Sequence, residues 1–212
     1  MFSNNGAKIR KLTAIILVIM SVCMVIPVQA ETAAVDTLFG EVKNETYENG
    51  FLGLGCTLEG WHYYTDEELE KVNQRTKEAL LHELDELIDR NIGIMMAEKP
   101  DHQQNVNIQI QNIKNFTAVY KLMGLAYVAE NSLDGFKAML GGAGYTDVQV
   151  GVEEVTVGGQ TFTGVKGSYK IGSIPVYFKQ LWELRDDYMV TVTATTVQED
   201  TTDEVFAKFF LL

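Results

Sequence analysis

Four strand-like runs near the C-terminal end constrain the fold most: Val148 to Val157, Gln160 to Ile171, Val176 to Leu184 and Tyr188 to Val197. Gly158-Gly159, Gly172-Ser173 and Asp186-Asp187 separate them at hairpin lengths. Such short joints of residues that tolerate a left-handed backbone read as tight turns, so the runs form a continuous antiparallel meander. The remaining elements must then pack around this sheet.

Upstream, Tyr47-Glu48-Asn49-Gly50 offers an Asn-Gly turn, and Leu52, Leu54, Cys56 and Leu58 alternate along a strand from Phe51 to Leu58. Thr65 and Glu68 have the spacing of a capping box, and Leu69, Val72, Leu80, Leu84, Leu87 and Ile88 recur at helical spacing up to Asn91. The pattern is weak between Gln74 and Lys77, where the helix divides in two or continues. Ile92, Ile94 and Met96 alternate, Pro100-Asp101 turns the chain, and Val106, Ile108 and Ile110 alternate against Asn107, Gln109 and Gln111. These runs predict a hairpin with one wet face. Leu122, Leu125, Ala129, Leu133, Phe136 and Leu140 predict a helix that Gly141-Gly142 ends. Thr201 and Glu204 open a last helix that carries Val205, Phe206, Phe209 and Phe210. The order is ββα-ββα-ββββα, with helices between groups of antiparallel strands, so the fold class is α+β. Trp61 and Phe178 are expected in the core.

The N-terminus speaks to location. Lys8, Arg10 and Lys11 form a positive head, Leu12 to Ile26 is an almost unbroken apolar run, and Pro27 breaks it. Val28 and Ala30 place small residues where a leader peptidase reads, so residues 1–30 have the layout of a signal peptide that ends at Ala30. Cleavage leaves no membrane span. Residues 31–45 read as a flexible linker, and residues 46–212 as a single domain. The leader holds three basic residues and no acidic ones, so its removal moves the net charge from −12 to −15. That excess repels phosphate backbones and excludes nucleic acid as an expected partner. Cys23 follows bulky Val22, which is unsuited to lipid attachment, and Cys56 is then the one thiol of the processed chain. It reads as a small core hydrophobe, although a reactive nucleophile is the sharper alternative.

Candidate chemistry is sparse. His62 ends a strand, His82 lies in the first helix and His102 in a turn. His82-Glu83-Leu84-Asp85-Glu86 approaches the zinc-protease pattern, but Glu86 stands where the second imidazole is needed. Asp66, Glu67, Glu68 and Glu70 crowd a helix start, where carboxylates favour the helix dipole. Asp186-Asp187 and Glu199-Asp200 with Asp203 match no calcium loop. No glycine-rich phosphate cradle and no nucleophile elbow is present, so no catalytic residue, metal ligand or cofactor is assigned. Trp61, Tyr63 and Tyr64 bunch between strand and helix, either as packing or as an aromatic binding surface. Trp182 and Phe178 share one strand face, opposite Tyr177.

Tyr47-Glu48-Asn49, the strand Phe51 to Trp61, Thr65-Asp66-Glu67-Glu68-Leu69, the run Val106 to Ile110, Gly144-Tyr145-Thr146-Asp147-Val148 and the end Asp200 to Leu212 together resemble a largely uncharacterised family. Its members are small exported proteins and lipoproteins of Gram-positive anaerobes. Leu58-Glu59-Gly60-Trp61 departs from the family pattern by lacking its proline and one residue. The resemblance implies a Mog1/PsbP-like fold, an antiparallel sheet with helices on both faces in an α/β/α sandwich. It implies interaction rather than catalysis, and carries over no functional residue. The expected role is an exported, secreted binding or accessory module with a protein or cell-envelope partner. The alternatives are an extracellular hydrolase using acidic residues and a carrier of a small apolar ligand.

Overall fold

The computed structural model describes residues 38–83, 86–88 and 90–212. The leader, its end at Ala30, residues 31–37 of the tether and the expected helical contact of Leu84 lie outside the described residues. In chain order β1 spans Glu41–Lys43, β2 Thr46–Asn49, β3 Leu54–Thr57 and β4 His62–Tyr63, followed by α1 at Asp66–Asn73 and α2 at Lys77–Glu83. Then come β5 at Asn91–Glu98, β6 at Gln104–Asn112, α3 at Thr117–Met123 and α4 at Leu125–Gly142. The meander is β7 at Thr146–Val157, β8 at Gln160–Ile171, β9 at Ile174–Arg185 and β10 at Tyr188–Val197. The chain closes with α5 at Thr202–Phe206 and β11 at Phe209–Leu211. The class is α+β, with strands paired antiparallel in both sheets.

The meander forms as its turns dictate. Val157 pairs with Gln160 around Gly158 (φ 57°) and Gly159 (φ 82°), and Arg185 pairs with Tyr188 around Asp186 (φ 51°). Both joints are two residues long, the length whose backbone twist matches paired strands. The meander continues through β6, β5 and β4 into one seven-stranded sheet ordered β4-β5-β6-β10-β9-β8-β7. A second sheet of four strands is ordered β1-β2-β3-β11.

Alternation along the meander divides the core in two. Val155, Phe162, Leu181 and Val192 face one way and join a cluster with Tyr47, Leu54 and Cys56 of the small sheet, Leu80 of α2 and Phe206 of α5. Val165, Phe178 and Trp182 face the other way, onto Leu125, Leu133 and Phe136 of α4. Helices on both faces were expected. One face does carry α3 and α4, but the other is covered largely by the four-stranded sheet, with short helices at its margin. Trp61 and Phe178 are buried, as their patterns predict.

Several local expectations change. Residues 38–45 are not tether: Leu38 and Phe39 are buried, and β1 and β2 pair around Asn44 (φ 50°) and Glu45 (φ 60°). The helix from Thr65 keeps its capping box, with the Glu68 N–H donating to Thr65 Oγ1 and the Thr65 N–H to Glu68 Oε2. It ends at Gln74, which turns left-handed (φ 55°), so the weak centre is a break. Gly124 (φ 79°) likewise divides the next helix into α3 and α4. The hairpin face of Asn107 and Gln109 is not wet. β6 lies inside the sheet, where Asn107 stands between Met96 and Thr193, and both polar side chains are nearly buried.

The last helix is shorter than expected, and Phe209 and Phe210 leave it to form β11. Thr201 makes no side-chain cap. Asp200 Oδ1 instead accepts from the Thr202 N–H and hydroxyl. The edge of β3 explains the change. Phe209 pairs with Cys56 and Leu211 with Leu54, which satisfies backbone groups that a longer helix would leave open.

Candidate functional site

The four-stranded sheet, the β4–α1 junction and β5 meet around a cleft of about 210 Å³. Its walls are Phe39, Val42, Tyr47, Tyr63, Tyr64, Leu69, Ile94 and Met95, and Thr65, Asp66 and Lys77 bring polar groups to it. Local sequence accounts for its shape. Asn49 is fully buried, and its amide donates to Leu38 O at 2.8 Å and to Tyr47 Oη at 2.9 Å. Tyr47 Oη in turn donates to Phe39 O at 3.1 Å. This latch holds Leu38-Phe39 as a strap beside the cleft.

Tyr63 belongs to the opposite wall, and its hydroxyl donates to Glu45 O at 2.9 Å and Cys56 O at 3.3 Å. Burial pushes the Tyr47 and Tyr63 phenols well above the ordinary tyrosine range, so both are neutral donors. Tyr64 is partly exposed, and burial followed by the charges of Glu98 and Glu68 raises its hydroxyl. Its ring lies 5.6 Å from that of His62. His62 Nε2 is 3.0 Å from Glu68 Oε2, so this imidazole braces the capped start of α1.

The polar side of the cleft is an ion pair. Lys77 Nζ lies 3.3 Å from Asp66 Oδ2 and 5.1 Å from the centre of the Phe39 ring. Its backbone N–H donates to Glu70 Oε1 at 3.1 Å. A cation over an aromatic face beside a carboxylate can hold a polar group, and the described residues that line the cleft include no His or Cys.

Of the expected aromatic surface, Tyr63 and Tyr64 share the cleft, while Trp61 is in the core and does not line it. Phe39, Tyr47 and Lys77 complete it unannounced by the sequence. The adjacent apolar residues Leu38-Phe39 in a polar segment were the available signal for the strap. Lys77 carries no signal, because its role depends on the break at Gln74.

The other candidates lie elsewhere in the fold. Burial, opposed by the Tyr63 hydroxyl, pushes the Cys56 thiol up to about 12, which makes it an inert core group. His102 (φ 58°) sits in the β5–β6 turn with Nδ1 3.1 Å from Glu98 Oε2. His82 belongs to α2. Glu68 caps α1, and Asp187 Oδ1 accepts from the Thr117 hydroxyl at 2.8 Å. Trp182 and Phe178 lie beneath α4, with Phe136 6.1 Å from Trp182. Among the described residues no three His, Cys, Asp or Glu side chains gather as a metal site.

A charged cluster docks α5 on the meander. Lys179 Nζ is 2.5 Å from both Asp203 Oδ1 and Glu153 Oε1, and Lys166 Nζ is 3.1 Å from Asp200 Oδ2. Burial alone would raise the Asp200 carboxyl, but the Thr202 donors and Lys166 hold it below the usual carboxylate range. Its stabilisation is therefore present above the unfolded value of 3.8 and is lost as pH falls through the lower folded value. Asp200→Asn should lower stability at pH 7 by about 1 kcal/mol. Urea midpoints of wild type and variant should converge as pH drops below 3.8. An undiminished gap would show that the carboxylate charge is not responsible.

Comparison with protein-family models and with curated proteins gives no match. The reading of the site therefore rests on its chemistry.

Proposed function

We propose that the protein is an exported, non-catalytic binding or accessory module acting outside the cytoplasmic membrane, with the cleft between Phe39 and Tyr64 as its recognition pocket. The carrying observation is the wall of Phe39, Tyr47, Tyr63 and Tyr64 beside the Asp66–Lys77 pair. Tyr63 and Tyr64 offer partly exposed aromatic surface backed by buried Phe39 and Tyr47, and the ion pair can orient a polar group on the occupant. The volume of about 210 Å³ falls below the range of roughly 300–1,000 Å³ of drug-sized ligand sites. It suits one inserted side chain of a protein or envelope partner, and it is too small for a bulky apolar cargo. A hydrolase would need convergent carboxylates. Asp66 is the one carboxylate among this cleft's lining residues, and it is paired.

Export is supported by the positive head, the apolar run and Ala30. It is tested by the N-terminus of protein recovered from culture medium, expected at Glu31. A lipid on Cys23 would mean an exported but anchored protein and would overturn cleavage at Ala30. In this reading the fold is a variant of the Mog1/PsbP-like sandwich. The seven-stranded antiparallel sheet with α3 and α4 on one face is compatible with that, and the four-stranded sheet would be an addition to it.

A photo-crosslinking phenylalanine analogue at Tyr64 tests the pocket in living cells. A discrete adduct is expected there, and none from the same analogue at exposed Glu154 on β7. No adduct at Tyr64, together with turnover of a glycan or ester by the protein, would establish an enzyme instead.

A further inference from the structure

The corner where α3 meets α4 presents apolar surface that none of the described residues covers. Of the seven large hydrophobic residues exposed among the described residues, five lie here: Phe116, Val119, Leu122, Met123 and Tyr127. Leu122 is 88% exposed. Thr117 is the one buried residue of α3, and its hydroxyl donates to Ile113 O and Asp187 Oδ1, so the helix is pinned at its start. Tyr120 packs against the core beneath α4, and Val119, Leu122 and Met123 project outward.

Charge and shape say what covers it. From Ile113, just past β6, to Ala129 the chain has no Asp or Glu, although it holds 29 acidic residues in all, and its basic residues there are Lys114 and Lys121. Exposed Lys121 adjoins Leu122. In a protein whose overall charge opposes an anionic surface, this exposed segment carries no acidic residue of its own and an exposed lysine, so such a surface is least opposed here. A seven-residue helix is about 10 Å long, a narrow face beside the ~800 Å² per partner that a stable dimer buries. A rigid partner would need a matching socket for so prominent a leucine, whereas a bilayer deforms around it. Phenylalanine, tyrosine, leucine and methionine beside a lysine are the side chains that settle at a lipid headgroup boundary.

We propose that α3 and its junction with α4 form a shallow membrane-contact site. Phe116, Val119, Leu122 and Met123 enter the headgroup–acyl boundary of an anionic bilayer, and Lys121 meets lipid phosphate. So few inserted side chains give weak, reversible attachment, which holds the protein near a membrane without a span. This site is independent of the aromatic cleft.

Sedimentation with phosphatidylglycerol–phosphatidylcholine vesicles tests it, with wild type and Leu122→Asp prepared in the same exported form so that any leader contributes equally. Wild type should pellet with the vesicles, and Leu122→Asp should lose about tenfold or more in partition coefficient. Lys121→Gln should weaken binding and flatten its salt dependence. An environment-sensitive dye on Leu122→Cys should shift to the blue with vesicles, and the same dye on Glu59→Cys should not. That second measurement decides the matter if Leu122→Asp fails to fold. Equal pelleting of wild type and Leu122→Asp, or no dye shift, overturns the proposal. So does a dimer in solution that Leu122→Asp abolishes while wild type ignores vesicles, because the corner would then be a self-association face.

Discussion

Replacing Phe209 with alanine should lower the unfolding free energy by about 3–5 kcal/mol, the usual cost of emptying a buried phenylalanine site. Phe209 is buried, lies 5.6 Å ring to ring from Phe206, and pairs with Cys56 on the small sheet. Its removal opens a void between α5 and β3 and weakens the strand that covers the β3 edge. The urea midpoint should fall with little change in slope, because the rest of the fold unfolds as before. Phe210→Ala is the informative control. In a strand successive side chains point to opposite faces, and Phe210 is only half-buried, against Gly55. Its loss should cost much less. Equal losses at the two positions would restore the helical reading of this segment.

Gly164→Ala should cost roughly 3 kcal/mol, at the upper end of ordinary overpacking. Gly164 sits in β8 between Glu153 of β7 and Leu181 of β9. A Cβ there would lie 2.5 Å from Gln180 O, 2.5 Å from Val155 Cγ2 and 2.8 Å from Glu153 O. The two oxygens belong to the backbones of both neighbouring strands, which cannot withdraw without disturbing their ladders. Gly151→Ala in β7 meets nothing within 4 Å and should change stability by no more than about 0.5 kcal/mol. Thermal melting of the pair checks this directly. A Gly164→Ala protein as stable as wild type would mean that β7 and β9 stand farther from β8 than described.

The elements that were legible in the sequence are those whose reasons are local. The four meander strands emerge within a few residues of their expected ends, because alternation and two-residue turns act over adjacent positions. The Thr65–Glu68 capping box is equally local, and so is the alternation that buries Cys56. Around the cleft, proximity in sequence groups Trp61, Tyr63 and Tyr64; the two tyrosines line it and Trp61 lies in the core, where its own pattern puts it. Neighbours in sequence can leave a strand end in different directions.

Tertiary structure alone decided the rest. Residues with weak local preference took whatever state satisfied a distant partner. Phe209 to Leu211 became a strand because β3 offered an unpaired edge, and the short helix before them has little stability by itself. Leu38 and Phe39 joined the core because Asn49 and Tyr47 hold their carbonyls, a bond across eleven and eight residues that no periodicity reports. The cleft followed from the second of these, since its walls come from the strap, β1 and β2 of the small sheet, the β4–α1 junction, the start of α2 and β5. The exposed corner of α3 was hidden for the opposite reason. Leu122 and Leu125 continue one helical stripe in sequence, but the break at Gly124 turns Leu125 toward the sheet and leaves Leu122 in solvent.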